Sequence, residues 1–219
     1  MIDFTEIIGH EDIIKHFKKS IELGQVSQTY IINGENGSGK KPLTRALAKT
    51  LQCEEGGTEP CNHCKSCLQS ETGNQPDVVW ITHDKPNFIS VDEIREQLIN
   101  DIDIKPYSSR YKIYVINDAH LMRPEAQNAL LKTIEEPPAY AIIILLTENM
   151  EKLLPTIVSR CIVLNIKPVR ENDIMEYLET VLHLDNERAR FCMDFAQGNL
   201  GKAIRLASSE DYRECNEKA

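Results

Sequence analysis

No apolar run in this chain of 219 residues nears the roughly 20 needed to span a bilayer; residues 141–146 are among the longest. The first residues carry neither a basic start nor an apolar signal core, so the expected compartment is the cytoplasm. Basic residues are outnumbered, 25 Lys and Arg against 34 Asp and Glu. The resulting net charge of −9 excludes a surface that coats nucleic acid generally, and any such contact must be local. There is no internal repeat and no low-complexity tract. A secreted disulfide framework is also excluded, because four of the seven cysteines crowd into residues 53–67, a metal-like spacing. What remains is a chain with 41% hydrophobic and 27% charged residues, enough for one good core and a small second one.

The segment Gly34-Glu35-Asn36-Gly37-Ser38-Gly39-Lys40-Lys41 follows the phosphate-loop pattern G-x-x-x-x-G-K-[S/T] up to its last position. Gly34, Gly37 and Gly39 free backbone N–H groups for phosphate oxygens, and Lys40 is placed to meet the β and γ phosphates. The last position should carry a hydroxyl that holds magnesium, and Lys41 stands there instead. An ammonium donates hydrogen bonds and carries positive charge, so it cannot ligate a cation. Pro42 fits the first turn of a helix. These residues leave open whether ATP or ADP binds.

Apolar runs at 30–33, 77–81, 112–116, 141–147 and 161–166 read as five strands, mostly without alternation, as in a parallel sheet covered on both faces. Helices are expected at 12–23, 40–51, 90–101 and 125–136, the third opened by a Ser90–Glu93 capping box and the fourth stopped by Pro137-Pro138. After Pro168 only helical patterns remain, at 171–182, 186–196 and 200–208. The boundary expected near Lys167-Pro168 separates an α/β domain from a small helical one, with a charged tail over 210–219.

Cys53, Cys61, Cys64 and Cys67 form C-x7-C-x2-C-x2-C, in which close pairs converge on one ion and Cys53 adds the fourth ligand. A structural zinc is the reading; an iron–sulfur cluster is the smaller competitor, and His63 could replace a thiolate. Cys161 and Cys192 read as packing residues. The strand over 112–116 ends in Asn117-Asp118 where hydrolysing P-loop enzymes carry Asp-Glu, so magnesium loses a carboxylate and the water-polarising group is one methylene short. Arg160, taken alone, reads as a surface residue paired with an acid.

Together these pieces resemble the clamp-loader branch of the AAA+ ATPases. The resemblance is carried by Ile8-Gly9-His10, the cysteine knuckle, Asn128-Ala129-Leu130-Leu131-Lys132-Thr133-Ile134-Glu135-Glu136-Pro137-Pro138 and Ser159-Arg160-Cys161. It covers essentially the whole chain. It implies a P-loop domain over 1–168 with a parallel five-stranded sheet and a zinc-binding insertion, then an all-helical lid over 169–219. A further collar domain is expected outside these residues, and the fragment alone is expected to be monomeric. Within the branch the chain is most similar to the delta prime subunits of bacterial DNA polymerase III. The alternative is the ATP-hydrolysing gamma/tau type, which keeps a Thr or Ser after the loop lysine and an Asp-Glu strand end. Active subunits also carry a sensor 2 arginine on the lid, where Gly198-Asn199-Leu200-Gly201-Lys202-Ala203 places Gly201. Lys202 lies about 100° round the helix and is no simple substitute. Thr147 matches the sensor 1 position. The resemblance therefore implies a subunit without ATPase activity in a heteropentamer with gamma/tau and delta subunits. The sliding clamp and primer-template DNA are reached through that assembly. It also gives Arg160 a role in trans, as an arginine finger for a neighbour's ATP. A zinc-dependent DNA-binding module is a weaker reading, since residues 54–65 are acid-rich with no basic-aromatic face.

Overall fold

Strands without polar alternation need cover on both faces, and the chain supplies it. The computed structural model describes residues 3–208. Its single sheet contains β1 (Thr29–Asn33), β2 (Val78–Ile81), β3 (Lys112–Ile116), β4 (Ala141–Thr147) and β5 (Ile162–Asn165). All pairings are parallel, in the order β2-β3-β4-β1-β5. Every residue of β3 and β4 is buried, whereas β2 and β5 at the edges are largely half-exposed, having one neighbour each. Side chains alternate between two apolar clusters. Ile31, Tyr114 and Ile143 enter one; Tyr30, Ile32, Ile113 and Ile142 enter the other.

Helices α1 (Glu11–Glu22) and α2 (Lys40–Gln52) cover the face that holds Tyr30, through Phe17, Leu43 and Leu47. A short helix, α3 (Lys65–Glu71), was not foreseen; seven residues give little periodicity, and its N-cap is the Cys64 sulfur, which accepts from the Cys67 N–H. The other face is covered by α4 (Val91–Ile94), α5 (Pro124–Glu135) and α6 (Pro155–Val158). The Ser90–Glu93 capping box forms at the start of α4. The helix expected over 90–101 is not uniform, however, because a π turn occupies Arg95–Ile99 and Asn100 N–H donates to Arg95 O at 2.8 Å. Ile94, Leu98 and Ile102 are all buried at a spacing of four, which drifts by about 40° per step in a regular α-helix. Widening the turn counters that drift.

Beyond Pro168 lie α7 (Glu171–Thr180), α8 (Asn186–Ala196) and α9 (Leu200–Ser208), packed round Ile174, Leu178, Cys192 and Ala203 with Ile8 from the N-terminal segment. The charged tail and Cys215 lie outside the described residues. Among the described residues no helix is long and apolar enough to cross a membrane.

Candidate functional site: a phosphate loop beneath a helical lid

β1 runs directly into the glycine loop, and α2 starts at Lys40. Gly37 and Gly39 adopt φ of 86° and 97°, the left-handed region where a side chain is strained. A Cβ on Gly39 would also fall 2.9 Å from His10 Nε2. Lys40 is buried and donates to the carbonyls of Gly34 and Glu35, the latter at 2.7 Å, which holds the loop in a cradle. Burial lowers the Lys40 pKa, with Glu148 and Asp118 opposing the shift. His10, itself at φ 65°, donates from Nε2 to Ser38 O at 2.9 Å.

A cavity of about 410 Å³ opens between the loop and the helices after Pro168. Its polar end is formed by residues 36–41 with Asn117, Asp118 and Glu148; Ile7, Ile8, Val169, Tyr177, Leu200 and Ile204 make an apolar wall. Lys41 lines the cavity where the magnesium-holding hydroxyl would be. Asn117 and Asp118 are tied to each other by a side-chain hydrogen bond. Thr147 is fully buried and its hydroxyl donates to Asn149 O at 3.1 Å, so Glu148, not Thr147, faces the cavity. Glu148, the apolar wall and the hold of His10 on the loop were not legible from spacing, because each depends on segments far apart in the chain that meet only in the fold.

Gly201 meets the loop backbone directly. Its N–H donates to Gly37 O at 3.0 Å, and a Cβ there would lie 2.5 Å from that oxygen and 2.7 Å from Gly37 Cα. No side chain fits. Asn199, buried, adds a hydrogen bond from Nδ2 to Asn36 O at 2.9 Å, while its Oδ1 accepts from Lys202 N. One turn beyond Gly201, the Arg205 guanidinium also packs against Gly37. Lys202 is exposed.

Arg160 sits elsewhere. Its carbonyl accepts from Thr29 Oγ1 at 2.9 Å, at the start of β1, whereas the loop begins after the end of β1. Five residue steps of strand separate the two by about 16 Å. The guanidinium pairs with Glu135 at 2.8 Å and donates to Thr156 O, with both charged side chains about two-fifths exposed. It therefore cannot serve its own chain's loop. Cys161 and Cys192 pack against the apolar clusters.

At the far end of α2, the sulfurs of Cys53, Cys61, Cys64 and Cys67 all lie within 4.8 Å of one another. Cys61 Sγ and Cys67 Sγ are 4.0 Å apart, close to the ~3.8 Å that four Zn–S bonds of 2.3 Å impose on a tetrahedron. Backbone N–H groups of Cys61, Cys64 and Cys67 point at the sulfurs of Cys53, Cys61 and Cys64. Burial opposes ionisation of Cys64, yet backbone hydrogen bonds from Glu54 and Cys67 and the adjacent thiols of Cys67 and Cys61 bring it down to about 7. The donor set suits a closed metal site. His63 stands outside it, exposed and paired with Glu55.

The buried imidazole of His10 gives the site a pH signature. Desolvation lowers its pKa from 6.5, outweighing the Ser38 hydrogen bond, so the fold favours the neutral ring. That contribution is fully present above about pH 6.5 and is lost as pH falls through the folded-state value. Urea midpoints of the wild type should drop more steeply between about pH 7 and pH 5.5 than those of His10→Gln. Equal slopes would show that His10 is not the group responsible.

A family model described as DNA polymerase III, delta subunit, matches residues 9–170. DNA polymerase III subunit gamma of Buchnera aphidicola from Schizaphis graminum is 35% identical over 209 residues, covering 93% of this chain and 57% of that protein. DNA polymerase III subunit delta' of Bacillus subtilis is 32% identical over 207 residues, covering 94% and 61%. The chain thus spans little more than half the length of these relatives. The RuvB Holliday junction branch migration motor of Thermotoga maritima has the same fold, with a TM-score of 0.66 at 16% identity over 100% of this chain and 67% of that one. With its loop, parallel sheet and helical cover all in place and the family model spanning most of its length, the chain belongs to the clamp-loader subunits of DNA polymerase III, within the AAA+ fold.

Proposed function

We propose that the chain is the AAA+ portion of a cytoplasmic, non-hydrolysing, delta prime-type subunit, with a P-loop domain over 1–168 and a lid from 169 onward. It joins gamma/tau and delta subunits, and through them the sliding clamp and primed DNA. The observation that carries this reading is the contact of Gly201 with Gly37. In a hydrolysing subunit an arginine at this place reaches the γ-phosphate, and nucleotide bridges lid and loop. Here backbone meets backbone, and no side chain fits at Gly201. Lys41 and Asn117 remove two further contacts to magnesium. Relatives named for gamma and for delta' subunits match to similar extents, so the subunit type rests on these three residues.

The four cysteines are assigned a structural zinc. Four thiolates close its coordination shell and leave no place for water, so it anchors residues 53–67 to the end of α2 and does no chemistry.

The test is ATP turnover by the full-length protein alone. Negligible hydrolysis is expected, with weak nucleotide binding at most in the remaining cavity. Turnover approaching about 1 per second, the low end for ordinary enzymes, would place the chain in the gamma/tau class. Lys41→Thr alone should not restore activity, since Asn117 and Gly201 still lack their contacts.

A further inference from the structure

Beside the four-sulfur cluster lies a second set of metal-ligating atoms that shares one sulfur with it. Glu55, Cys61 and His63 bring a carboxylate oxygen, a sulfur and a ring nitrogen within 4.8 Å of one another. His63 Nε2 and Glu55 Oε1 are 3.2 Å apart, and the two side chains are 71% and 55% exposed. Local backbone sets this meeting. Gly56 and Gly57, at φ of 71° and 103°, turn the chain immediately after Glu55, and Asn62, at φ 63°, turns it between Cys61 and His63.

The electrostatics favour a cation here. Four thiolates around one divalent ion leave a net charge of −2, and Glu54, Glu55 and Glu59 add carboxylates nearby. Lys18 is already paired with Glu59. A second ion ligated by Cys61, Glu55 and His63 would offset that excess. One sulfur, one nitrogen and one oxygen form a donor set that suits zinc-like ions; magnesium and calcium prefer oxygen alone.

We propose that Glu55, Cys61 and His63 form a second, weaker site for a zinc-like divalent cation, with the Cys61 thiolate bridging two ions. Three protein ligands leave a fourth position to water. The second ion therefore exchanges with solvent while the enclosed first ion does not. The inference rests on the reading of the four sulfurs as a metal centre.

Titration of metal-free, full-length protein with Zn²⁺ against a chromophoric chelator separates the two. Wild type should take up one tight and one weaker equivalent. His63→Ala and Glu55→Gln should each weaken the second by at least about 10-fold, the lower end of what even outer-shell substitutions cost. Both should leave the first unchanged, since neither residue is among its four sulfurs. A single tight equivalent in wild type overturns the second site and keeps the first. A second equivalent that persists unaltered in the double variant also overturns it, because the ion then lies elsewhere. No tight equivalent at all overturns the four-sulfur reading itself.

Discussion

Arg160→Ala, placed in the full-length protein and assembled with gamma/tau and delta subunits, is expected to slow hydrolysis at one neighbouring site by about 10³–10⁵-fold, the worth of arginine fingers in other P-loop systems. The remaining sites keep their own arginines, so total ATPase should fall only in part while clamp loading is strongly impaired. The cost to folding should be small. The residue loses an ion pair with Glu135 at the surface, and such pairs contribute about 0.2–1 kcal/mol. Glu135→Gln supplies the control, since it breaks the same pair and keeps the guanidinium in place. It should load clamps normally. Arg160→Lys should be nearly as poor as alanine, because an ammonium lacks the planar fork that grips phosphoryl oxygens. Wild-type clamp loading by Arg160→Ala at limiting ATP would reduce Arg160 to a surface partner of Glu135.

The second large effect is expected at Gly201. Any Cβ there collides with the Gly37 backbone, and backbone cannot swing aside as a flexible side chain can. Overpacking of this kind costs about 1–3 kcal/mol. Hydrogen exchange in residues 199–205 should therefore accelerate about 5- to 150-fold in Gly201→Ala, given that 1.4 kcal/mol is tenfold. Gly201→Arg should open the lid at least as far and still not hydrolyse ATP. Magnesium-ATP should leave exchange in the wild-type lid nearly unchanged, as nucleotide is expected to bind weakly at most. Exchange in Gly201→Ala indistinguishable from wild type would mean that the backbone contact does not hold the lid.

Much of this was legible in the residues. The central strands announced themselves because burial on both faces leaves no polar alternation, and β3 and β4 lie where the apolar runs placed them. The cysteine cluster was readable from spacing alone, since close pairs of thiols have few other uses. The π turn at Arg95–Ile99 was not, because it answers to packing against the sheet and leaves no local mark. Thr147 shows the same limit from the other side. Its position in the chain matched a sensor, yet a turn at Asn149 captures its hydroxyl, and Glu148 takes the place facing the cavity. Gly201 was read as an absence. Only the fold shows that its missing side chain is a requirement, because the loop backbone fills that space.

The placement of Arg160 at the start of β1, with the phosphate loop at its end, has a consequence for symmetry. A surface that offers a guanidinium and a surface that would receive one are different parts of the molecule. Across a two-fold axis two copies would have to exchange both contacts through one shared face, whereas in the assembly proposed above each subunit gives through one face and receives through another. Contacts that match finger to loop are head-to-tail, and such contacts generate rings or open spirals. In a row of subunits joined this way, each member gives in one direction and receives from the other. On the proposed reading this chain gives a guanidinium and makes no catalytic use of one it receives, so the series of firing sites would be interrupted at its own loop. That interruption would give the assembly a direction.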